Sequence, residues 1–220
     1  MATQTSTSLR FALVLTLVGG YLDAYTFITR DGVFANTQTA NVILGGIDLA
    51  EAQWRATLAH LYPILAFLAG IGVAMLVKTG RIERRVTRPL RWATGLQAVI
   101  LVIVGFLPAG VHAAAVTVPI AFVAALQMGG LYRTIGDLTY MSIATTGNLM
   151  RLTEAWFRGF VDHDPVARRH TAVYAAICAA FAGGAIFGAL VAQWIGGRAA
   201  WVPALILAVT LVLFYLDDQD

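Results

Sequence analysis

Two related octapeptides stand out in this sequence: Phe34-Ala35-Asn36-Thr37-Gln38-Thr39-Ala40-Asn41 and Met141-Ser142-Ile143-Ala144-Thr145-Thr146-Gly147-Asn148. Both end in Thr-small-Asn, and both lead into an apolar stretch. They lie in two uncharged segments, residues 32–47 and 138–150, which are too short for a membrane-spanning helix of about 20 residues. We therefore expect each segment to enter a membrane and return to the same side.

The composition around these segments is that of a membrane protein. Of 220 residues, 59% are apolar and 12% are charged, whereas soluble domains carry about half apolar and about a quarter charged residues. This excludes a soluble globular protein and predicts a single membrane domain over residues 1–220. The basic residues lie beside apolar runs without a stacking surface, so no nucleic-acid partner is expected. The apolar runs predict six spans, near residues 10–29, 56–78, 91–108, 112–132, 170–194 and 199–216.

The two halves of the chain repeat each other beyond the octapeptides. Phe67 and Gly70 match Phe181 and Gly184 farther along, and repeat one covers about 10–108 while repeat two covers about 112–216. Each half has three crossings, an odd number, so the halves must run in opposite directions, as in many transporters and channels. The expected fold is an all-α integral membrane protein of six transmembrane helices plus two short re-entrant half-helices, arranged as two inverted three-helix repeats.

The basic residues predict the orientation of this arrangement. With both termini in the cytoplasm, 12 of the 15 Lys and Arg residues are inside, and only Arg30, Arg55 and Arg198 are outside. This agrees with the excess of Lys and Arg found in cytoplasmic loops. Full crossings by the two short segments would place the basic cluster at 78–91 and the pair Arg168-Arg169 on opposite sides.

The sequence of each short segment predicts an extended stretch that turns into a helix, with Thr or Asn as the cap. Irregular backbone at membrane depth must be buried in protein or face a water-filled cavity. In inverted halves, the two helix N-termini would approach each other near the midplane with free N–H groups. Such a site favours a small anion or a polar neutral solute.

The motif Gly20-Tyr21-Leu22-Asp23-Ala24-Tyr25-Thr26, followed by residues 32–42, resembles the signature of the YoaK family. These are small bacterial membrane proteins grouped as a domain of unknown function. The sequence departs from that pattern at Ala40, where the family usually has Gly, and at Met128, where it often has Asn. The resemblance implies a six-helix protein of the bacterial inner membrane and no established substrate.

Asp23 is the carboxylate within the first predicted span, where an unpaired charge costs several kcal/mol. It is the first functional candidate, as a proton-coupling or cation-coordinating group. The alternative is a structural Asp that binds Thr37 or Asn41. Both interpretations predict that Asp23 faces the interior of the helix bundle.

The duplicated segments supply further candidate solute ligands, because hydroxyl and amide groups can replace a hydration shell. The alternative for them is helix capping. These candidates are Thr39, Asn41, Thr146 and Asn148, with Gln38 and Gln127 as second-line members.

Enzymatic motifs are missing from the sequence: there is no nucleophile with a base, no paired carboxylates and no Gly-rich phosphate loop. Asp162, His163, Asp164 and His170 lack metal-ligand spacing, so neither a metal nor a cofactor is expected. The leading hypothesis is a transporter or channel for a small polar or anionic solute in a lipid bilayer, with a homo-oligomer possible. The alternatives are a non-transporting scaffold or accessory protein and, third, an intramembrane enzyme using Asp23.

Overall fold

Helices make up most of the structure. The computed structural model describes residues 9–78, 89–127, 134–135 and 138–216. The helices in these residues are α1 (Leu9–Thr29), α2 (Gln38–Ala50), α3 (Trp54–Lys78), α4 (Pro89–Gly105), α5 (Ala114–Leu126), α6 (Thr146–Phe160), α7 (Pro165–Ile195) and α8 (Trp201–Leu216), with a 3₁₀ helix at Gly196–Ala200. Two short strands, β1 (Thr134–Ile135) and β2 (Leu138–Thr139), pair antiparallel with Thr134 opposite Thr139.

Three stretches of the described chain are helical, long and apolar enough to cross a membrane. They are Leu9–Thr29, Trp54–Val77 and Pro165–Leu213, the last of which contains α7, the 3₁₀ helix and α8. Two further apolar helices are shorter, Arg91–Gly105 and Ala114–Leu126. The expectation of a helical, membrane-type protein is therefore confirmed. The end of the predicted span 112–132 and most of the basic cluster at 78–91 lie outside the described residues.

Both short segments contain the predicted break, but the helices begin earlier than expected, at Gln38 and Thr146. The expected capping is wrong, because the residues at the cap positions, Thr37 and Thr145, make no side-chain cap hydrogen bond. The first loop, defined as residues 30–37, separates α1 from α2, and the second loop, defined as residues 140–145, precedes α6. Positive φ angles at Asp31 (53°) and Gly32 (77°) turn the chain directly after α1. The second half-helix is longer than expected, since α6 continues to Phe160, ten residues past the uncharged segment.

The boundaries of α7 follow local capping chemistry. The Asp164 carboxylate accepts hydrogen bonds from Val166 N at 2.9 Å and Ala167 N at 3.3 Å, and Pro165 occupies the first turn. Gly196, with φ 57°, ends the helix in a conformation that costs glycine little. Between these caps α7 is helical for 31 residues, which carry no charged residue after Arg169.

Helix contacts arrange the chain around α1. Helix α1 packs along α7, and α3 packs along α5. Helix α2 lies on α3, while α6 lies on α7; α4 contacts α5 and α8, and α8 also contacts α1. The main core contains Leu15, Val18, Tyr21 and Leu22 of α1. Large apolar side chains such as Leu68, Ile186 and Leu205 are exposed on the outside, as expected where hydrocarbon is the solvent.

Glycines allow the closest helix contacts. A β-carbon at Gly184 of α7 would overlap the carbonyl oxygen of Leu17 in α1, and one at Gly70 of α3 would overlap the carbonyl oxygen of Phe122 in α5. The same type of contact therefore joins α7 to α1 and α3 to α5. Small residues at such positions let helix backbones approach each other where hydrophobic driving force is weak.

Candidate functional site

Each of the two loops contacts α1 at Gly19. Asn36 of the first loop donates from Nδ2 to the Gly19 carbonyl oxygen at 3.2 Å. The carbonyl oxygen of Ser142 in the second loop lies where a β-carbon on Gly19 would be. Asn36 and Ser142 are both buried. Both breaks in the helical structure are thus enclosed by protein, the condition that free backbone groups require at membrane depth.

Asn41 and Asn148 bind their loops in the same way. Phe34 N donates to Asn41 Oδ1 at 3.0 Å, and Asn41 Nδ2 donates to Phe34 O at 2.7 Å. Met141 N donates to Asn148 Oδ1 at 3.0 Å, and Asn148 Nδ2 donates to Met141 O at 2.6 Å. Both Asn side chains are 0% exposed. Each Asn amide therefore supplies hydrogen-bond partners for the backbone N–H and carbonyl oxygen of one loop residue, where no helix provides them.

Asp23 is buried and binds the first loop. Its Oδ1 accepts from Asn36 N at 2.8 Å and from Thr37 N at 3.2 Å, and its Oδ2 accepts from the Thr37 hydroxyl. The two backbone donors precede α2, where N–H groups have no helical partner. Asp23 therefore faces the interior, as predicted, and it makes the contact with Thr37 expected of a structural carboxylate.

The other four predicted site residues lie in three different surroundings. Gln38 donates from Nε2 to Ala35 O at 2.8 Å and accepts from Asn41 Nδ2 at 3.0 Å. Gln127, at the end of α5, donates to Gln97 Oε1 of α4 at 2.7 Å, with both side chains buried. The remaining two, Thr39 and Thr146, are exposed at the starts of α2 and α6.

Only part of the predicted set is brought together. Asp23, Gln38 and Asn41 surround the first loop. Asn148 is hydrogen bonded to the second loop. Gln127, at the end of α5, is hydrogen bonded instead to Gln97 of α4. None of the seven predicted residues lines either of the two cavities described next. Their role as solute ligands stays a prediction.

Two cavities lie beside the half-helices. Cavity A, of about 650 Å³, lies between α2, the start of α3 and the α4–α5 turn. Cavity B, of about 620 Å³, lies between β2, α6 and the start of α7. Cavity A has the titratable lining residues Asp31, Asp48, Arg55, His60 and His112, and cavity B has Arg151, Glu154, Arg158, His170 and Tyr174.

The two cavities use matching positions of the two halves. In α2, the residues three, six and seven positions after Asn41 line cavity A; these are Leu44, Ile47 and Asp48. In α6, the residues at the same distances from Asn148 line cavity B; these are Arg151, Glu154 and Ala155. Gln53, directly before α3, and Ala56 and His60 of α3 line cavity A, and Ala167, His170 and Tyr174 of α7, at the same spacing, line cavity B. The lining positions are repeated, but the side chains differ, and the charged groups with them.

A chain of contacts links cavity A to Asn41. Asp48 Oδ2 lies 3.4 Å from His60 Nε2, and His60 Nδ1 lies 3.1 Å from Asn41 Oδ1. Sequence analysis did not single out Asp48, and it did not place His60 at a site. One local signal was available: Asp48 is two helical turns after Asn41 and therefore on the same face of α2. The contact with His60 depends on how α2 packs against α3.

Arg30, at the end of α1, is a buried cation. Its side chain is 2% exposed, and Nη1 donates to Thr29 O at 3.0 Å and to Ala109 O at 3.2 Å. Nε and Nη2 are buried without a hydrogen-bond partner among the residues described. The charge lies at the C-terminal end of α1, where the helix dipole favours a cation. No group of three metal-ligating side chains occurs in the described part of the chain.

Comparison with known proteins identifies a family. No curated protein and no solved structure matches the chain. A family model described as "Protein of unknown function (DUF1275)" matches residues 11–213, which include every helix, both loops and both cavities described above. The chain therefore belongs to the DUF1275 family.

Proposed function

We propose that the protein is a membrane transporter for a small polar or anionic solute, with cavities A and B as its two openings. The observation that carries the proposal is the pair of cavities of similar size, lined by matching positions in the two halves of the chain. The proposal includes six spans and two inverted repeats, over about 10–108 and 112–216. It also includes cytoplasmic termini in a bacterial inner membrane and membership of the YoaK branch.

Helix contacts support the two-fold relationship between the halves. Each helix of the first half corresponds to the helix four places later: α1 to α5, α2 to α6, α3 to α7 and α4 to α8. When corresponding helices are exchanged, the contact between α1 and α7 becomes the contact between α5 and α3. The pair α2–α3 becomes α6–α7, and α4–α5 becomes α8–α1, while α4–α8 maps onto itself. With three crossings in each half, this exchange places cavities A and B on opposite sides of the membrane.

The pathway requires motion of a half-helix. Cavities A and B share no lining residue, and Asn36 and Ser142 of the two loops each contact Gly19 of α1. Among the described helices, α2 packs mainly against α3, and α6 packs mainly against α7. We expect α2 and α6 to move against these partners while Asn41 and Asn148 keep the loop ends in place. In this scheme the predicted site residues of the loops position the half-helices.

Two Arg side chains of cavity B favour a small anion or a polar neutral solute. Cavity B is lined by Arg151, Arg158 and Glu154, and Arg158 also lies 3.4 Å from Asp164. Arg side chains present several donors in a fixed arrangement that matches carboxylate and phosphate oxygens. Arg151 and Arg158 are therefore the groups that we expect to bind an anion at this opening.

A non-transporting scaffold is the second candidate function. It is favoured by the complete burial of Asn41 and Asn148, whose amide groups bind the protein's own backbone. Under this alternative, the loops only hold the fold together. A flux measurement separates the two functions.

The test is solute flux into vesicles that contain the purified protein. The panel consists of sodium formate, acetate, nitrate, sulfate and phosphate, with urea and glycerol as neutral probes. We expect flux of at least one probe above that of empty vesicles. Ala56→Trp fills cavity A and His170→Trp fills cavity B, so either should reduce that flux to the empty-vesicle level. Leu68→Trp, on the exposed face of α3, is the matched control and should leave it unchanged.

Absence of flux for the whole panel would favour the scaffold. Flux that survives both cavity substitutions would show that the pathway lies elsewhere. The transport proposal assigns no catalytic role to the protein, in line with the motifs missing from the sequence.

A further inference from the structure

The orientation of the Asn41 side chain is fixed by the peptide groups that it binds. A backbone N–H can only donate, and a carbonyl oxygen can only accept. Because Phe34 N donates to one end of the Asn41 amide and Phe34 O accepts from the other, Oδ1 and Nδ2 cannot be interchanged. Asn41 therefore presents an acceptor, Oδ1, to His60.

This acceptor fixes the position of one hydrogen on His60. His60 Nδ1 lies 3.1 Å from Asn41 Oδ1, so Nδ1 must be the donor in this contact. A neutral imidazole has one protonated nitrogen and one bare nitrogen. With its hydrogen on Nδ1, neutral His60 has a lone pair on Nε2, the nitrogen that faces away from Asn41.

His60 Nε2 faces a carboxylate. Asp48 Oδ2 lies 3.4 Å away, with side-chain exposure of 7% for His60 and 20% for Asp48. A bare Nε2 and an ionised carboxylate are both acceptors, and they repel each other at this distance. One proton removes the conflict, either on Nε2 or on Asp48. The pair has access to water because both residues line cavity A.

We propose that His60 and Asp48 form a proton-binding site in cavity A that couples proton uptake to solute transport. The inference rests on the proposed function and adds its coupling ion. A proton between the two side chains joins α2, which carries Asp48, to α3, which carries His60. Loss of the proton leaves two acceptors in contact and favours separation of the two helices.

Only one half of the protein has this pair. The matching positions in cavity B are Ala155 and Tyr174, which have neither the carboxylate nor the imidazole. Proton binding at the His60–Asp48 pair therefore acts on α2. The other charged or titratable groups that line cavity A are Asp31 of the first loop, Arg55 of α3 and His112 of the α4–α5 turn.

The test counts the protons taken up by the purified full-length protein in detergent when the pH falls from 8 to 5. We expect Asp48→Asn to take up about one proton fewer than the wild type, since a histidine titrates in this range and an ordinary Asp titrates at about 3.9. The reason is that the amide of the variant donates to His60 Nε2, so the imidazole no longer needs a proton. Asp31→Asn, in the same cavity, is the control and should match the wild type.

Equal uptake by Asp48→Asn and the wild type would overturn the inference, because His60 would then titrate independently. A second measurement does not depend on the folding of a variant. Nitrogen NMR of histidine-labelled wild type should find the His60 Nδ1 hydrogen at both pH 8 and pH 5. Neutral His60 with its hydrogen on Nε2 alone would overturn the inference.

The outcomes separate this site from the proposed function. If the difference in proton uptake is found but no probe crosses the vesicle membrane, the proton site stands and transport fails. If flux is found and proton uptake is unchanged in Asp48→Asn, transport stands and the coupling site fails.

Discussion

The side chain of Asn41 is hydrogen bonded to both polar groups of Phe34, seven residues earlier, at 3.0 and 2.7 Å. Asn148 makes the same pair of bonds to Met141, also seven residues earlier. The duplicated Thr-small-Asn motif therefore has a shared structural role in addition to any role in binding a solute. Each Asn closes a loop that the membrane interior would otherwise leave with unpaired backbone groups.

Asn41→Ala should lower the apparent melting temperature of the protein in detergent far more than Thr39→Ala. The first substitution leaves the partly buried N–H and carbonyl groups of Phe34 without these partners, at a cost of up to about 1–3 kcal/mol each. Thr39 is exposed two residues away on the same helix and is the matched control. We expect the same contrast between Asn148→Ala and Thr146→Ala. Equal shifts for Ala at positions 41 and 39 would contradict the structural role of Asn41.

Gly184→Ala should destabilise the protein, whereas Gly183→Ala should not. A β-carbon at Gly184 overlaps the backbone of Leu17, while one at Gly183 has nothing within 4 Å. Extra atoms in a closely packed contact typically cost about 1–3 kcal/mol. The helix propensity of Ala favours the second variant by up to about 1 kcal/mol. Thermal unfolding of the two neighbouring variants measures the contrast, and similar behaviour would mean that α7 does not approach α1 in this way.

Asp23→Asn should retain the fold, and Asp23→Ala should not. The Asn oxygen can still accept from Asn36 N and Thr37 N, and its amide can donate to the Thr37 hydroxyl. Ala leaves buried donors unpaired, at about 1–3 kcal/mol each. Melting temperatures of both variants test the structural role of Asp23. Loss of solute flux in a stable Asp23→Asn protein would instead assign Asp23 the coupling role expected from the sequence.

Cavities A and B should be labelled from opposite sides of the membrane. In a Cys178→Ser background, Ala56→Cys places a thiol in cavity A, and His170→Cys places one at the matching position of cavity B. An impermeant maleimide applied to intact cells should modify one variant, and it should modify the other only after the membrane is opened. Labelling of both from the same side would be incompatible with inverted repeats.

The cap at the start of α7 should give a pH-dependent contribution to stability. Hydrogen bonds from Val166 N and Ala167 N hold the pKa of Asp164 below its ordinary value. The contribution is therefore complete above the ordinary pKa of about 3.9, and it is lost as the pH falls through the lower pKa of the folded state. The melting-temperature difference between wild type and Asp164→Ala should be constant near neutral pH and shrink below pH of about 4. Asp162→Ala, which leaves the cap in place, is the matched control.

Much of the fold could be predicted from the sequence because it depends on local chemistry. Apolar runs between charges predict the helices, and the short length of the two uncharged segments predicts the breaks before α2 and α6. The length of α6 could not be predicted in this way. After Met150 it carries Arg151, Glu154 and Arg158, which end the uncharged pattern without ending the helix.

The candidate site depended more on the tertiary structure. The motif singles out Thr39 and Asn41 together, but packing of α2 against α3 buries only Asn41 and leaves Thr39 exposed. His60 reaches Asn41 and Asp48 only because the chain turns back between the two helices.

By itself, the sequence determined the helical membrane class and the two breaks before α2 and α6, since hydropathy acts within a few residues. Only the tertiary structure decided that both loops contact Gly19, that Arg30 is buried, and that the lining charges lie beside α2 and α6. These contacts join residues distant in the chain, and they depend on which faces of the helices pack together.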